Sequence, residues 1–316
     1  METFAIQQVS VLLLVISSAF CLFGASFNLD VTFATFSVWV FLVCVGSLCE
    51  VFSLRFRLRH AIVNGANNPI EPKKGDFPHQ VTLLAQLNGT NLVYCGGSLI
   101  HPGWILTAAH CLEQDGKQFT PDFVQVSVGS VYSDLRGGRI LLVEKIVIHR
   151  DYLESNGNHH DIGLLKLQTW ATLSTFIKTV RLHLNQSEDL IGKTAYLTGL
   201  GVINDYMQRP TRLRTATLHV SSPAECSISA KDSAVQICCT STVHEGKACK
   251  GDSGGPLVIK RNGFFLQIGI TSHLARLSYC KLADNHSIYT KVAAYVQWIS
   301  ENTRIDFYNY LVEETL

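Results

Sequence analysis

Residues 251–256 read Gly251-Asp252-Ser253-Gly254-Gly255-Pro256, and the architecture this stretch belongs to depends on where the serine finds its partners. A hydroxyl is a weak nucleophile at neutral pH until an adjacent base takes its proton. An imidazole suits that task because its pKa lies near neutrality, and a carboxylate must hold it in one tautomer. Gly-x-Ser-x-Gly also occurs on a strand–turn–helix elbow above a mixed sheet, where acid and histidine follow the serine. Asp284 and His286 do follow here, but only two residues apart and with too little chain beyond them for strand–helix–strand units. Upstream the choice is better. Thr107-Ala108-Ala109-His110-Cys111 comes first and His160-Asp161-Ile162-Gly163-Leu164-Leu165 second, so His110, Asp161 and Ser253 read as one unit in that order.

The texture around the three motifs agrees. From Ile62 onward short apolar runs alternate with Gly, Asn, Asp and Pro clusters at roughly ten-residue spacing, the mark of an all-β sandwich or barrel. The runs are Gln80 to Leu87, Gly97 to Thr107, Phe123 to Val128, Ile140 to His149, Ile162 to Leu167, Thr194 to Thr198, Leu213 to Val220, Pro256 to Lys260 and Phe264 to Ser272. Apolar spacing near 3.6 predicts one terminal helix, about Val292 to Ile299.

Composition narrows the class. Of 316 residues, 47% are hydrophobic and 16% charged, against about 25% charged in ordinary soluble domains. Such a chain buries enough apolar surface to offset its ordering entropy, which argues against disorder. Lys and Arg total 26 against 25 Asp and Glu. No basic excess exists to neutralise phosphates, so a nucleic-acid partner is not expected. Ten cysteines are too many for an ordinary cytosolic enzyme unless they bind metal or pair, and they lack the paired short spacings of zinc sites.

Residues 1–61 stand apart, holding nine of the sixteen Phe and only six charges. Val9 to Phe23 has the length of a signal-peptide core and exits at Gly24-Ala25-Ser26, although the basic start is missing. Residues 1–24 are read as a signal peptide. Val31 to Leu48 carries no charge and is just long enough to span a bilayer. The arginines that follow, Arg55, Arg57 and Arg59, would then hold the C-terminal side in the cytoplasm, which conflicts with disulfide formation. Residues 25–61 are therefore read as an apolar pro-segment, with a membrane anchor over 31–48 or translated non-coding sequence as alternatives.

Residues 62–303 resemble a trypsin/chymotrypsin-family serine protease domain, leaving 304–316 as a C-terminal tail. The resemblance rests on Ile62-Val63-Asn64-Gly65, Cys95-Gly96-Gly97-Ser98-Leu99-Ile100, the three motifs above, Thr198-Gly199-Leu200-Gly201 and Tyr289-Thr290-Lys291-Val292. It implies two packed six-stranded antiparallel β-barrels with a C-terminal helix. It also implies a secreted serine endopeptidase acting through an acyl-enzyme. Ser253 would attack the scissile carbonyl, His110 would carry the proton, Asp161 would orient His110, and the N–H groups of Gly251 and Ser253 would hold the oxyanion. Ser272 falls where the family supports the buried Asp. Cys95–Cys111, Cys226–Cys238 and Cys249–Cys280 fall on family pairs, Ala195 and Ile259 occupy both ends of a fourth, and Cys239 is left over. Three disulfides imply an oxidising compartment.

Two departures stand out. In the family, cleavage before the Ile-Val motif frees an ammonium that pairs with the Asp before the serine, here Ile62 with Asp252. The residue before Ile62 is Ala61 rather than a basic one, so activation by a non-tryptic protease or by trimming is expected. Lys247, six residues before Ser253, stands at the base of the specificity pocket where trypsin-like enzymes carry Asp, while Leu274 and Ser287 replace wall glycines and His273 replaces Trp. Either Lys247 receives an acidic side chain, or Leu274 narrows the entrance and Lys247 pairs internally with Glu245 or Asp284. Non-tryptic specificity follows in both cases. The rival reading is a protease-like binding or regulatory protein with little turnover. Expected partners are protein or peptide substrates, an activating protease and protein protease inhibitors. No cofactor or metal is indicated, since the Gly129 to Gly138 loop offers only Asp134 to calcium. Asn88-Gly89-Thr90, Asn185-Gln186-Ser187 and Asn285-His286-Ser287 are glycosylation sequons.

Overall fold

Strand β1 (Gln80–Leu87) opens a run of antiparallel strands: β2 (Thr90–His101), β3 (Trp104–Thr107), a small hairpin of β4 (Glu113–Gln114) and β5 (Lys117–Gln118), β6 (Val124–Val128) and β7 (Arg139–Ile148). A five-residue helix α1 (Arg150–Glu154) precedes β8 (Gly163–Leu167). The computed structural model describes residues 71–87, 90–154, 159–204, 206–241, 246–274 and 286–309. Expectations that fall on residues 1–61, Ile62, Glu245, Cys280 and Asp284, and on the sequons at Asn88 and Asn285, lie outside them. Among the described residues no helix is long and apolar enough to cross a membrane.

Six of these strands close into a barrel in the order β1-β2-β3-β8-β7-β6, because β1 pairs with both β2 and β6. A two-residue strand β9 (Arg181–Leu182) leads to the second set: β10 (Thr194–Gly199), β11 (Arg214–Ser221), β12 (Gln236–Thr240), β13 (Pro256–Arg261), β14 (Phe264–Leu274) and β15 (His286–Lys291). The order β13-β10-β11-β12-β15-β14 closes through β13–β14 pairing, with β9 lying parallel on β14. Side-chain alternation drives the closure. Along β11 every second residue is buried, so one face fills the barrel and the other meets solvent or loops. These are the two six-stranded antiparallel barrels expected from the sequence.

Details depart from the expectation for local reasons. Gly97 to Thr107 is a hairpin rather than one strand. Pro102, which has no N–H to give a ladder, and Gly103 turn the chain between β2 and β3. The Gly103 N–H donates to His101 Nδ1 at 3.1 Å. The terminal helix α2 spans Val296–Thr303, later than the periodicity placed it. Val292–Ala294 is instead a 3-10 turn, ended where Tyr295 adopts φ −121°. α2 buries Val296, Ile299 and Thr303 and ends on Arg304 in the left-handed conformation.

The barrels meet through buried polar groups as well as apolar ones. Ser98 Oγ of β2 donates to Gln267 Oε1 of β14 at 2.7 Å, and Thr198 Oγ1 of β10 donates to Gln80 Oε1 of β1. All four side chains are buried, so each bond satisfies groups that would be costly to bury alone. The Gly251–Gly255 turn enters the same seam. The Gly96 N–H donates to Ser253 O at 2.7 Å, and the Gly254 N–H donates to Thr271 O at 2.8 Å. Gly254 has φ +76°, and a Cβ there would lie 2.2 Å from Thr107 Oγ1 and 2.6 Å from Gly96 O. Gly254→Ala is expected to destabilise the chain by about 3 kcal/mol or more, combining backbone strain with overpacking. A urea midpoint unchanged from the parent would contradict this packing.

Candidate active site

His110 sits in a 3-10 turn, Ala109–Cys111, that follows β3 directly. A disulfide from Cys111 to Cys95 on β2 staples the turn to the barrel wall. Asp161 precedes β8 and is 6% exposed. Its Oδ1 accepts from the His110 N–H at 3.0 Å and its Oδ2 lies 2.8 Å from His110 Nδ1. An ionised carboxylate only accepts, so Nδ1 carries the proton and Nε2 keeps a free lone pair. Ser272 Oγ on β14 donates to Asp161 Oδ2 at 2.5 Å, and Thr290 Oγ1 on β15 donates to the Asp161 carbonyl at 2.8 Å. One acid is thus held by both barrels. The Thr290 bond was not anticipated from the sequence, although Thr290 lies in a motif already singled out.

The charges respond to this placement. Burial alone would depress the His110 pKa, but the Asp161 charge and hydrogen bond outweigh it and hold the imidazole above its usual range. Burial alone would raise Asp161, yet the His110 charge and the bonds from His110 and Ser272 hold its carboxyl below the usual carboxylate range.

Ser253 lies on the turn that inserts beside Thr107 and Ala108, two residues from His110. A Cβ on the neighbouring Gly254 would fall 3.2 Å from the Ala108 nitrogen. Three bonds shape the turn: Asp252 N–H to Cys249 O, Gly255 N–H to Asp252 O and Thr271 N–H to Gly255 O. Gly251 takes φ +94°, a region open to glycine. Among the described residues neither the Gly251 N–H nor the Ser253 N–H donates to another protein group.

Asp252 points the other way, into the protein, and is 1% exposed. Its Oδ1 accepts from the Gly201 N–H at 2.8 Å and its Oδ2 from the Cys249 N–H at 2.9 Å. A Cβ at Gly201 would lie 2.5 Å from the carboxylate, so glycine there is a steric requirement. Arg209, whose guanidinium lies beside Gly251, is the nearby cation that favours ionisation. Burial nevertheless dominates and pushes Asp252 up to about 6.

Ser272 and Leu274 lie on β14 and Ser287 on the adjacent β15, while Lys247 lies in the connection between β12 and β13. Lys247 is 3% exposed, Ser287 1% and Tyr289 fully buried. Ala248 and Tyr289 share one buried cluster with Cys239, and Ser287 pairs in register with Cys239. The buried Tyr289 phenol interacts with the Ser287 hydroxyl, while burial pushes its pKa well up. Leu274 ends β14, and its side chain lies outside the described residues. His273 Nδ1 is 3.1 Å from Ser272 Oγ. Cys226 bonds to Cys238 and Cys239 is a free buried thiol. Cys249 is disulfide-bonded. Ala195 and Ile259 are both buried in the second-barrel core.

The pH dependence of Asp252 has a definite sign. Its folded pKa, about 6, exceeds the ordinary carboxylate value, so the protonated form favours folding. That contribution is complete below about pH 4 and is lost as pH rises through about 6. The stability of the full chain relative to Asp252→Asn is expected to fall by roughly 2 kcal/mol between pH 4 and 7, read as the difference between two urea series. A difference that rises with pH would contradict the burial argument.

The chain matches the Trypsin family model across residues 66–299. It is 32% identical over 213 residues to serine protease SSP1 of Scolopendra subspinipes, covering 66% of this chain and 73% of that protein. It is 30% identical to the urokinase-type plasminogen activator of Gallus gallus, covering 78% of this chain and 58% of that protein. With vitamin K-dependent protein C of Rattus norvegicus it shares 33% identity over 75% of this chain and 50% of that protein. The chain therefore spans little more than half of the last two relatives. The two closed barrels, the family match and these identities together place the chain in the trypsin family of serine endopeptidases.

Proposed function

We propose that this protease hydrolyses peptide bonds through His110, Asp161 and Ser253 and cleaves on the carboxyl side of acidic residues. The observation that carries the mechanism is the 2.8 Å approach of His110 Nδ1 to Asp161 Oδ2, from which the tautomer of His110 follows. With Nδ1 protonated, Nε2 takes the proton of Ser253 as Oγ bonds to the scissile carbonyl carbon. The negative oxygen of the tetrahedral intermediate accepts from the Gly251 and Ser253 N–H groups, each such donor being worth about 2.7–4 kcal/mol. His110 then gives its proton to the departing amine and Ser253 is left as an ester. Water, deprotonated by His110, attacks that ester, releases the acid and restores the serine.

The specificity rests on Lys247. A buried lysine in this position repels the side chains of Lys and Arg, and a substrate carboxylate carries the charge that suits it. Activation rests on Asp252. Its two backbone donors and the burial that lifts its pKa describe a carboxylate held ready for a cation, and an ammonium freed at Ile62 would be that cation. Processing before Ile62 follows Ala61, so the activating protease is non-tryptic. Residues 1–24 serve as a secretion signal, 25–61 are lost on maturation, and the mature enzyme works outside the cell, where protein protease inhibitors meet it.

A positional-scanning peptide library on the processed enzyme tests the pocket. Cleavage after Asp or Glu is expected to exceed that after Arg or Lys by about 100-fold or more, and Lys247→Asp is expected to reverse the order. Efficient cleavage after Arg or Lys by the parent would sink this reading. The pH profile of kcat/KM tests the dyad. His110 must be neutral to act as base, so activity falls with falling pH along a limb placed above the ordinary imidazole value of about 6.5. Asp161→Asn is expected to move that limb down and to cut kcat on the order of 10⁴-fold. A limb that stays in place would separate Asp161 from the base. A fluorophosphonate that fails to label Ser253 in the processed parent would refute the nucleophile assignment.

A further inference from the structure

Next to Asp161 a second group of titratable side chains comes together that peptide hydrolysis does not use. His149 follows β7, Asp151 lies in α1, and His160 immediately precedes Asp161. One ligand atom from each of the three lies within 4.8 Å of the other two. The two imidazoles stack with centroids 4.9 Å apart and planes 11° from parallel. His160 Nδ1 is 3.0 Å from Tyr295 Oη, which leaves Nε2 to ligate. His149 Nδ1 accepts the Asp151 N–H at 3.2 Å, a bond it would give up for that lone pair to turn to a metal. Trp298 and Tyr295 flank His149 at 5.1 and 5.5 Å, giving the apolar wall that sharpens ligand–metal attraction. His160 itself holds φ +58°, a backbone conformation costly for any residue but glycine and often kept at functional sites.

We propose that His149, Asp151 and His160 form a Zn2+ site with one open position, and that filling it slows peptide hydrolysis. Two neutral imidazoles and one carboxylate are a donor set that zinc accepts, and one carboxylate is too few for Ca2+. Tetrahedral Zn2+ at about 2.1 Å from each nitrogen needs donors about 3.4 Å apart. The stacked rings reach that by turning about Cβ–Cγ, a broad torsion in histidine. Proton placement is compatible, since His160 Nδ1–H can donate to Tyr295 Oη while Nε2 binds the ion. The second half of the proposal rests on the triad reading. One peptide bond joins His160 to Asp161, so drawing His160 towards a metal displaces the carboxylate that holds His110.

Titration calorimetry with ZnCl2 on the full chain carrying Ser253→Ala reads binding without any dependence on turnover. One Zn2+ per chain is expected. Tyr295→Phe, which removes only the support of His160, is expected to weaken binding about 10–100-fold, and His149→Gln to weaken it at least as much. Undiminished affinity in His149→Gln, with a melting temperature matching the parent, would overturn the site. In the processed active enzyme Zn2+ is expected to lower kcat, chelation by EDTA to restore it, and His149→Gln to resist. Calorimetric binding with unchanged kcat at saturation would overturn the coupling. Loss of turnover in metal-free parent enzyme would instead count against the triad, leaving the calorimetric result to judge the site.

Discussion

The carboxylate of Asp161 is the joint on which the molecule turns. It is nearly sealed from water, and it stays charged because every lone pair that matters has a donor. Those donors come from both sides of the seam: the His110 backbone and ring from the first barrel, and Ser272 from the second. Thr290 ties down the carbonyl of the same residue. Separating the barrels would take Ser272 and Thr290 away from Asp161 and admit water to a carboxylate that is otherwise enclosed. Catalytic geometry and barrel association are therefore one constraint seen from two directions.

Glycine makes that constraint satisfiable. The Gly251–Gly255 turn enters a space where Thr107, Gly96 and Thr271 leave no volume for a side chain, and Gly199 and Gly201 let the Asp252 carboxylate approach the backbone. Opposite results come from one device. At Gly254 the missing Cβ lets Ser253 reach the His110 turn, and at Gly201 it lets Asp252 turn away into the interior. Neighbouring side chains on one short turn thus face different media, one half-exposed and one buried.

The linear chain disclosed these groups unevenly. His110, Asp161 and Ser253 were legible because each sits in a run whose small or apolar neighbours have no other reason to recur in that order. The long strands were legible from alternation. Strand β12 was not, since Gln236-Ile237-Cys238-Cys239-Thr240 is short and buries its middle three residues in succession, which removes the period-2 signal. Strand β15 escaped for a similar reason, with four consecutive buried residues. The onset of α2 was misread because Val292 and Ala293 are apolar and buried but belong to the turn before it. His149 and His160 carry no local pattern at all. Eleven residues separate them, and only the antiparallel return of β7 and β8 brings their rings together.

The terminal residues add a temporal dimension. Val292, Tyr295, Val296, Ile299 and Phe307 belong to the same core cluster as Val81, Leu83, Val126 and Leu165 of the first barrel. The earliest strands to leave the ribosome are thus covered by the last turns to be made. Until α2 and Phe307 arrive, the first barrel lacks part of the apolar cover seen in the folded chain, and completing that cover requires contacts spanning most of the domain. Such long-range pairing slows folding and prolongs the aggregation-prone interval. A newly made chain can therefore finish its first barrel only after its second has been synthesised.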